Sequence, residues 1–132
     1  DLRFDAALGE PICEASLIAL PAGAQEDCTV GQLCNPREAR GTRAAGEGGG
    51  ACLVFANPAN TSRMELTVRL SCDGGKTWPV AQVLNHGPSA YSCLAALPAG
   101  QLGCLYERGR QNAYETIAFA RFGLDWLDPD AR

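Results

Sequence analysis

Met64-Glu65-Leu66-Thr67-Val68-Arg69-Leu70 runs directly into Ser71-Cys72-Asp73-Gly74-Gly75-Lys76-Thr77-Trp78, and the fold class is decided there. In the first half, Met64, Leu66, Val68 and Leu70 alternate with Glu65, Thr67 and Arg69. Successive side chains of a strand point to opposite faces, so this period of two predicts a strand with one face in a core. The second half carries the spacing S-x-D-x-G-x-T-W. The Asp73 carboxylate can accept backbone N–H groups across a tight turn, and Gly75 supplies the positive φ that side chains resist. Trp78 then buries its ring against the neighbouring strand. The predicted unit is a strand, a self-bonded turn and a returning strand.

Further strand-length apolar runs lie on both sides. They are Cys13 to Leu20, Ala51 to Ala56, Val80 to Leu84, Tyr91 to Leu97, Leu102 to Glu107 and Glu115 to Leu124. Pro98-Ala99-Gly100 and Gly109-Arg110-Gln111-Asn112 are turn chemistry between them. No segment carries a helical stripe, so the fold class is all-β. Gly75-Lys76-Thr77 imitates the end of a phosphate-binding loop, but Leu70 stands where that motif needs glycine, and Trp78-Pro79 follows instead of a helix. Gly46 to Gly50 leads into a strand and offers no helix N-terminus to a phosphate. Residues 22–50 form a polar, Gly-rich stretch with Arg37, Arg40 and Arg43. Loops beyond ~12–15 residues are unusual inside a compact domain. We read this one as a mobile surface insertion, its arginines solvated, within a single domain spanning 1–132.

The chain has 132 residues, 46% of them hydrophobic, which is enough for a core in one domain. A formal charge of −4 argues against a nucleic-acid partner, which calls for a basic face. No apolar run approaches the ~18 residues that span a bilayer. His86 is the single histidine, so sites with two histidine ligands are excluded, and no metal or cofactor is implied. The 7 cysteines contain no C-x-x-C pair. Cys28 and Cys34 lie in a polar stretch and are the candidates for a local disulfide. Cys52, Cys72, Cys93 and Cys104 fall in apolar runs and read as buried thiols. Asn60-Thr61-Ser62 is a glycosylation sequon. With the cysteine content it points towards an extracytoplasmic setting, secreted or lysosomal. The start at Asp1 fits a mature product, a processed subunit or a fragment.

Several segments, in order, resemble the sialidase (neuraminidase) family. They are Pro11-Ile12-Cys13-Glu14-Ala15-Ser16-Leu17, Phe55-Ala56-Asn57-Pro58-Ala59, Arg63 with Leu66 to Ser71, Gly87-Pro88-Ser89-Ala90-Tyr91-Ser92, Cys104 to Gly109 and Tyr114 to Phe119. The Ser71–Trp78 turn, with Ser71, Asp73, Gly75 and Trp78, looks like the structural Asp-box of such proteins. Nearly everything except 22–50 is covered, and the match is to the C-terminal portion of an exo-α-sialidase catalytic domain. The resemblance implies a six-bladed β-propeller. At about 40–50 residues per blade, this chain corresponds to roughly three blades.

For chemistry, the resemblance implies hydrolysis of terminal α-linked sialic acid from sialylated glycans, with retention. Tyr91 takes the place of the nucleophile and Arg63 that of the last of three arginines that clamp the substrate carboxylate. Glu107 takes the place of a carboxylate that orients an arginine; by residue type alone it equally suits a surface pair with Arg108 or Arg110. Arg69 reads as solvent-facing, His86 as a loop residue near Tyr91, Tyr106 and Tyr114 as core tyrosines, and Trp126 as closing the last blade. The first two arginines, the acid/base aspartate and the glutamate that activates the tyrosine belong to an N-terminal remainder, the implied partner of a chain that is incomplete and inactive alone. A trans-sialidase, or a non-catalytic propeller segment for carbohydrate binding or protein interaction, are the competing readings.

Overall fold

Each alternating run becomes an antiparallel strand in the computed structural model, which describes residues 6–9, 13–20 and 51–129. The expectations for the 22–50 insertion, its arginines and the Cys28–Cys34 pair fall outside the described residues. The strands are β1 (Ser16–Ala19), β2 (Leu53–Pro58), β3 (Met64–Ser71), β4 (Val80–Ala96), β5 (Gln101–Arg108) and β6 (Thr116–Gly123), followed by a one-turn helix, α1 (Leu124–Leu127). Each strand pairs antiparallel with the next, in the spatial order β1-β2-β3-β4-β5-β6. The all-β expectation holds.

Val80 to Leu84 and Tyr91 to Leu97 are one strand rather than two. The first half of β4 pairs with β3 as far as Pro88, and the second half pairs with β5 from Ser89. Gly87-Pro88 therefore marks a change of partner and not a turn. Proline lacks a ladder N–H, which costs little where the pairing switches. The buried Asn85 amide spans the switch, with Nδ2 3.1 Å from the Gly87 carbonyl, 3.3 Å from the Pro88 carbonyl and 2.7 Å from Ser89 Oγ. His86 accordingly lies in β4, exposed, and not in a loop. The described residues supply two sheets sharing β4, one of four strands and one of three. The length-based figure of three blades also counted residues 21–50.

Leu66, Val68 and Leu70 of β3 are buried with Val54 and Ala56 of β2. Leu94, Leu102, Cys104, Tyr106, Phe122 and Leu127 complete the same cluster, so one core joins the two sheets. The other face of β3 is covered too. Asn57 and Thr67 are buried, Arg69 Nη1 donates to Asn57 Oδ1 at 2.7 Å, and Asn57 Nδ2 donates to the Gly9 carbonyl at 2.9 Å. Arg69 is therefore half-buried rather than solvent-facing, its guanidinium engaged by Asn57 of the neighbouring strand β2. Burial lowers its guanidinium pKa from the ordinary value. Cys104 is fully buried, and burial pushes its thiol up to about 12. Cys93 is exposed instead, since the strand alternation turns Leu94 inward.

At the end of β3, Asp73 Oδ1 accepts the N–H groups of Lys76 and Thr77 (both 2.9 Å) and the Ser71 hydroxyl (2.8 Å), and Oδ2 accepts the Thr77 hydroxyl (2.7 Å). Gly75 sits at φ +86°, where a side chain would be strained, and its N–H donates to Ser71 Oγ at 2.9 Å. Trp78 packs at 5.7 Å from the Phe55 ring of β2. α1 was not legible as a helix because four residues show no periodicity. It tilts Trp126 against Phe122 at 4.8 Å and buries Leu127.

Two stability predictions follow from these contacts. Leu70→Ala removes a side chain 1% exposed and should lower the unfolding free energy by about 2–5 kcal/mol in urea titrations. The Thr77 hydroxyl and N–H, with Ser71 and Lys76, hold the Asp73 carboxyl well below the usual carboxylate range. A depressed carboxylate stabilises fully above its unfolded pKa of about 4, and that contribution is lost as pH falls through the folded value. The urea midpoint should therefore fall on acidification below pH ~4. Asp73→Asn should lower the midpoint at neutral pH and flatten its acid dependence.

Candidate active site

Two irregular strands meet where the candidate residues lie. Arg63 and Glu65 occupy the left-handed region at φ 52° and 61°, and the β3–β4 register shifts between Met64 and Thr67. Asn60 organises the preceding turn: its Oδ1 accepts the N–H groups of Ser62 (2.9 Å) and Met64 (3.3 Å), while Nδ2 donates to Glu65 at 3.4 Å. The sequon asparagine is thus half-buried, with its amide engaged in the turn. The Ser89 N–H donates to the Arg63 carbonyl at 2.7 Å, tying this turn to the point where β4 changes partner.

Just beyond, β4 holds one extra residue: Ser89 pairs with Arg108, but Ser92 pairs with Tyr106. Such a bulge re-aims side chains and leaves a backbone group without a ladder partner. Ala90 is buried, whereas Tyr91 projects outward, 46% exposed. The Tyr91 N–H is taken up by Glu107 Oε2 at 3.3 Å. Glu107 therefore braces the backbone under Tyr91 from the adjacent strand β5.

Arg63 faces two phenol rings. Its guanidinium carbon lies 6.0 Å from the Tyr91 ring centroid and 5.8 Å from that of Tyr114, within reach of a cation–π attraction. Its Nη1 also donates to the Tyr114 hydroxyl. Tyr114 is 59% exposed, so it is not the core tyrosine read from sequence, whereas Tyr106 is buried as read. The β5–β6 connection accounts for Tyr114. The Glu115 carboxylate accepts the N–H groups of Arg110 (3.0 Å), Gln111 (2.7 Å) and Asn112 (2.9 Å), and these bonds lower its pKa. Asn112 Oδ1 accepts the Tyr114 N–H at 2.9 Å. A side chain at Gly109 would collide with the Asn112 carbonyl, so glycine lets this turn close. The sequence signal was a carboxylate just after a Gly-Arg-Gln-Asn turn, with an aromatic beside it.

Arg63, Tyr91 and Glu107 thus come together at one end of the sheets, with Asn60 beside them. Ser71, Asp73, Gly75 and Trp78 lie at the opposite end of β3. A concavity of about 190 Å³ opens beside Tyr91, walled by Glu14, Cys93, Leu105, Glu107 and Ile117 among others. That is below the ~300–1,000 Å³ usual for a small-molecule site, and Arg63 does not line it. Among the described residues, no group of three His, Cys, Asp or Glu side chains is placed to hold a metal ion. Chemically, the cluster offers a permanent cation to an anionic group, next to a water-accessible phenol.

No protein-family model matches the chain. A sialidase of Micromonospora viridifaciens is 46% identical over 84 residues, covering 63% of this chain and 12% of that protein. Human Sialidase-4 is 35% identical over 80 residues, 54% of this chain and 16% of that protein. A sialidase of Bacteroides fragilis is 34% identical over 105 residues, 76% of this chain and 15% of that protein. Among solved structures, the Hadza microbial sialidase Hz136 superposes with a TM-score of 0.64 at 33% identity, covering 92% of this chain and 19% of that one. The propeller-type architecture rests on this match. The chain spans less than a fifth of the length of each of these four relatives.

Proposed function

The chain belongs to the sialidase family, and on that premise we propose that it supplies part of the site of an exo-α-sialidase acting on sialylated glycans with retention. The observation that carries the reading is the approach of Arg63 to the exposed Tyr91 ring, with Glu107 bracing Tyr91 from behind. Sialic acid bears a carboxylate on the carbon that reacts. A guanidinium stays charged at any working pH and pairs with that group through two parallel N–H bonds. A carboxylate nucleophile beside the same group would meet like-charge repulsion, which a neutral phenol avoids. Sialidases as a class use a tyrosine nucleophile.

In the proposed reaction the Tyr91 oxygen bonds to the anomeric carbon as the aglycone leaves with a proton. Water then displaces the tyrosine, and two inversions give net retention. A phenol ordinarily ionises near pH 10, so attack requires a base. The base, the acid and two further arginines come, in this reading, from the N-terminal remainder of the domain. Tyr114 fixes the direction of the Arg63 guanidinium through its hydroxyl.

The test supplies this chain with the N-terminal portion of the Micromonospora viridifaciens sialidase and assays a fluorogenic sialoside. The combined sample should be active and either part alone inactive. Tyr91→Phe should lower kcat by on the order of 10³-fold or more. Arg63→Lys should lower kcat/KM by about 10- to 100-fold, because a lysine cannot form the two-pronged pair. Activity that survives Tyr91→Phe overturns the nucleophile assignment. Tight binding of sialic acid by this chain alone, unaffected by Arg63→Lys, overturns the enzyme reading in favour of a binding module.

A further inference from the structure

We propose that Cys52 and Cys72 are a disulfide-forming pair that bolts the open end of the β2–β3 hairpin to the Ser71–Trp78 turn. The β2–β3 register sets Val54 opposite Leu70 and Leu53 opposite Ser71, so the next pair outward is Cys52 and Cys72. The strands stay joined beyond that pair, since the Gly74 N–H donates to the Ala51 carbonyl at 3.2 Å. The Cys52 carbonyl instead accepts the Leu20 N–H at 2.9 Å, on the β1 side. In a strand, a residue's N–H and C=O point to the same side. Cys52 therefore turns its backbone groups away from Cys72, and the two form a non-hydrogen-bonded cross-strand pair.

That geometry suits a disulfide. Residues in such pairs have Cα atoms about 4.5 Å apart, at the near edge of the ~4.4–6.8 Å range that disulfides occupy. Strand alternation puts both side chains on the face of Val54 and Leu70, and Cys72 packs against the core cluster. Both are half-buried thiols in the structure, so water and small oxidants have partial access.

The other described cysteines are not register partners of either: Cys93 and Cys104 lie in the second sheet, on β4 and β5. Cys93 is opposite Leu105 and Cys104 opposite Leu94, which sets those two on opposite faces of the second sheet. The β1–β2 register carries Cys13 towards the far end of β2.

The chemistry is thiol–disulfide exchange with a disulfide oxidant such as oxidised glutathione. One cysteine thiolate attacks the oxidant and releases one glutathione thiol. The second cysteine then attacks the mixed disulfide and releases the other. Two thiols are oxidised, one disulfide is reduced, and the protons pass to the glutathione. The bond would shorten the chain's unfolded excursions between β2 and the turn, leaving the Arg63 end of the hairpin unconstrained.

The inference is independent of the proposed enzymatic activity, and its test uses the intact chain. The chain is equilibrated in oxidised and reduced glutathione, remaining thiols are alkylated, and tryptic peptides are mapped by mass. Trypsin releases Cys52 in residues 44–63 and Cys72 in residues 70–76, each the sole cysteine of its peptide. The expected result is these two peptides joined, losing the link on reduction, with Cys52→Ser leaving Cys72 alkylated. Recovery of both peptides singly alkylated at every glutathione ratio overturns the pairing. So does predominant linkage of either one to Cys13, Cys28, Cys34, Cys93 or Cys104.

Discussion

Everything at the candidate site depends on β4 remaining one strand across Gly87-Pro88. A break there would let the four-stranded and three-stranded sheets drift apart, and with them the turn carrying Arg63 and the turn carrying Tyr114. Continuity is maintained by polar contacts in a buried place. The Asn85 amide satisfies acceptors on both sides of the proline, and the Ser89 N–H crosses to the Arg63 carbonyl. A buried amide left without partners would cost about 1–3 kcal/mol, so each of these bonds penalises any opening of the switch.

The same junction tolerates strain. Two non-glycine residues in the left-handed region, Arg63 and Glu65, cost on the order of 1–3 kcal/mol each. Such a conformation persists only when its surroundings over-determine it. Here Asn60 holds the turn from one side, and the Ser89 N–H holds it from the other. The bulge in β4 is fixed in the same manner, because Glu107 accepts the Tyr91 N–H that the interrupted ladder leaves over. Strain and its compensating contacts thus lie beside Arg63 and Tyr91. Among the described residues, the strand register shifts and two of the three non-glycine residues in the left-handed region lie there, the third being Ala99 in the β4–β5 turn.

How much of this was legible in the sequence follows from the range of each effect. The alternation of Leu66, Val68 and Leu70 is local, and it reported its own burial and the all-β class. The single strand β4 was hidden because Gly87-Pro88 has the chemistry of a turn, and only the change of pairing partner explains it. Arg69 read as exposed because its partner, Asn57, lies on the neighbouring strand twelve positions away and is itself bonded to Gly9, a pairing that alternation within β3 does not report. Tyr114 read as core because its exposure is set by the Glu115 clip and by a partner across the sheet. Arg63, Tyr91 and Glu107 were singled out by resemblance to a family and not by periodicity. No pattern within the chain would have distinguished Tyr91 from Tyr106. The juxtaposition of Cys52 and Cys72 likewise requires the strand register, which spacing alone does not give.

The distribution of charge fits the proposed reading, in which the site is shared with a further part of the domain. Glu14 walls the concavity beside Tyr91, whereas three other carboxylates at this end of the sheets already have backbone or turn duties: Glu107 to the Tyr91 N–H, Glu115 to three N–H groups, Glu65 to Asn60. Recruiting one of them as the base for a phenol would release the bulge or turn it holds, and with it the aim of the residue it serves. The concavity beside Tyr91 is walled by β4, β5 and β6 with Glu14, and at about 190 Å³ it is small. Leu105 and Ile117 on that wall are 48% and 67% exposed, apolar surface that a neighbouring sheet would remove from water. In the proposed reading the opposing wall brings both the burial and the base. The wall that aims the tyrosine can then remain rigid while the wall that activates it carries the titrating groups.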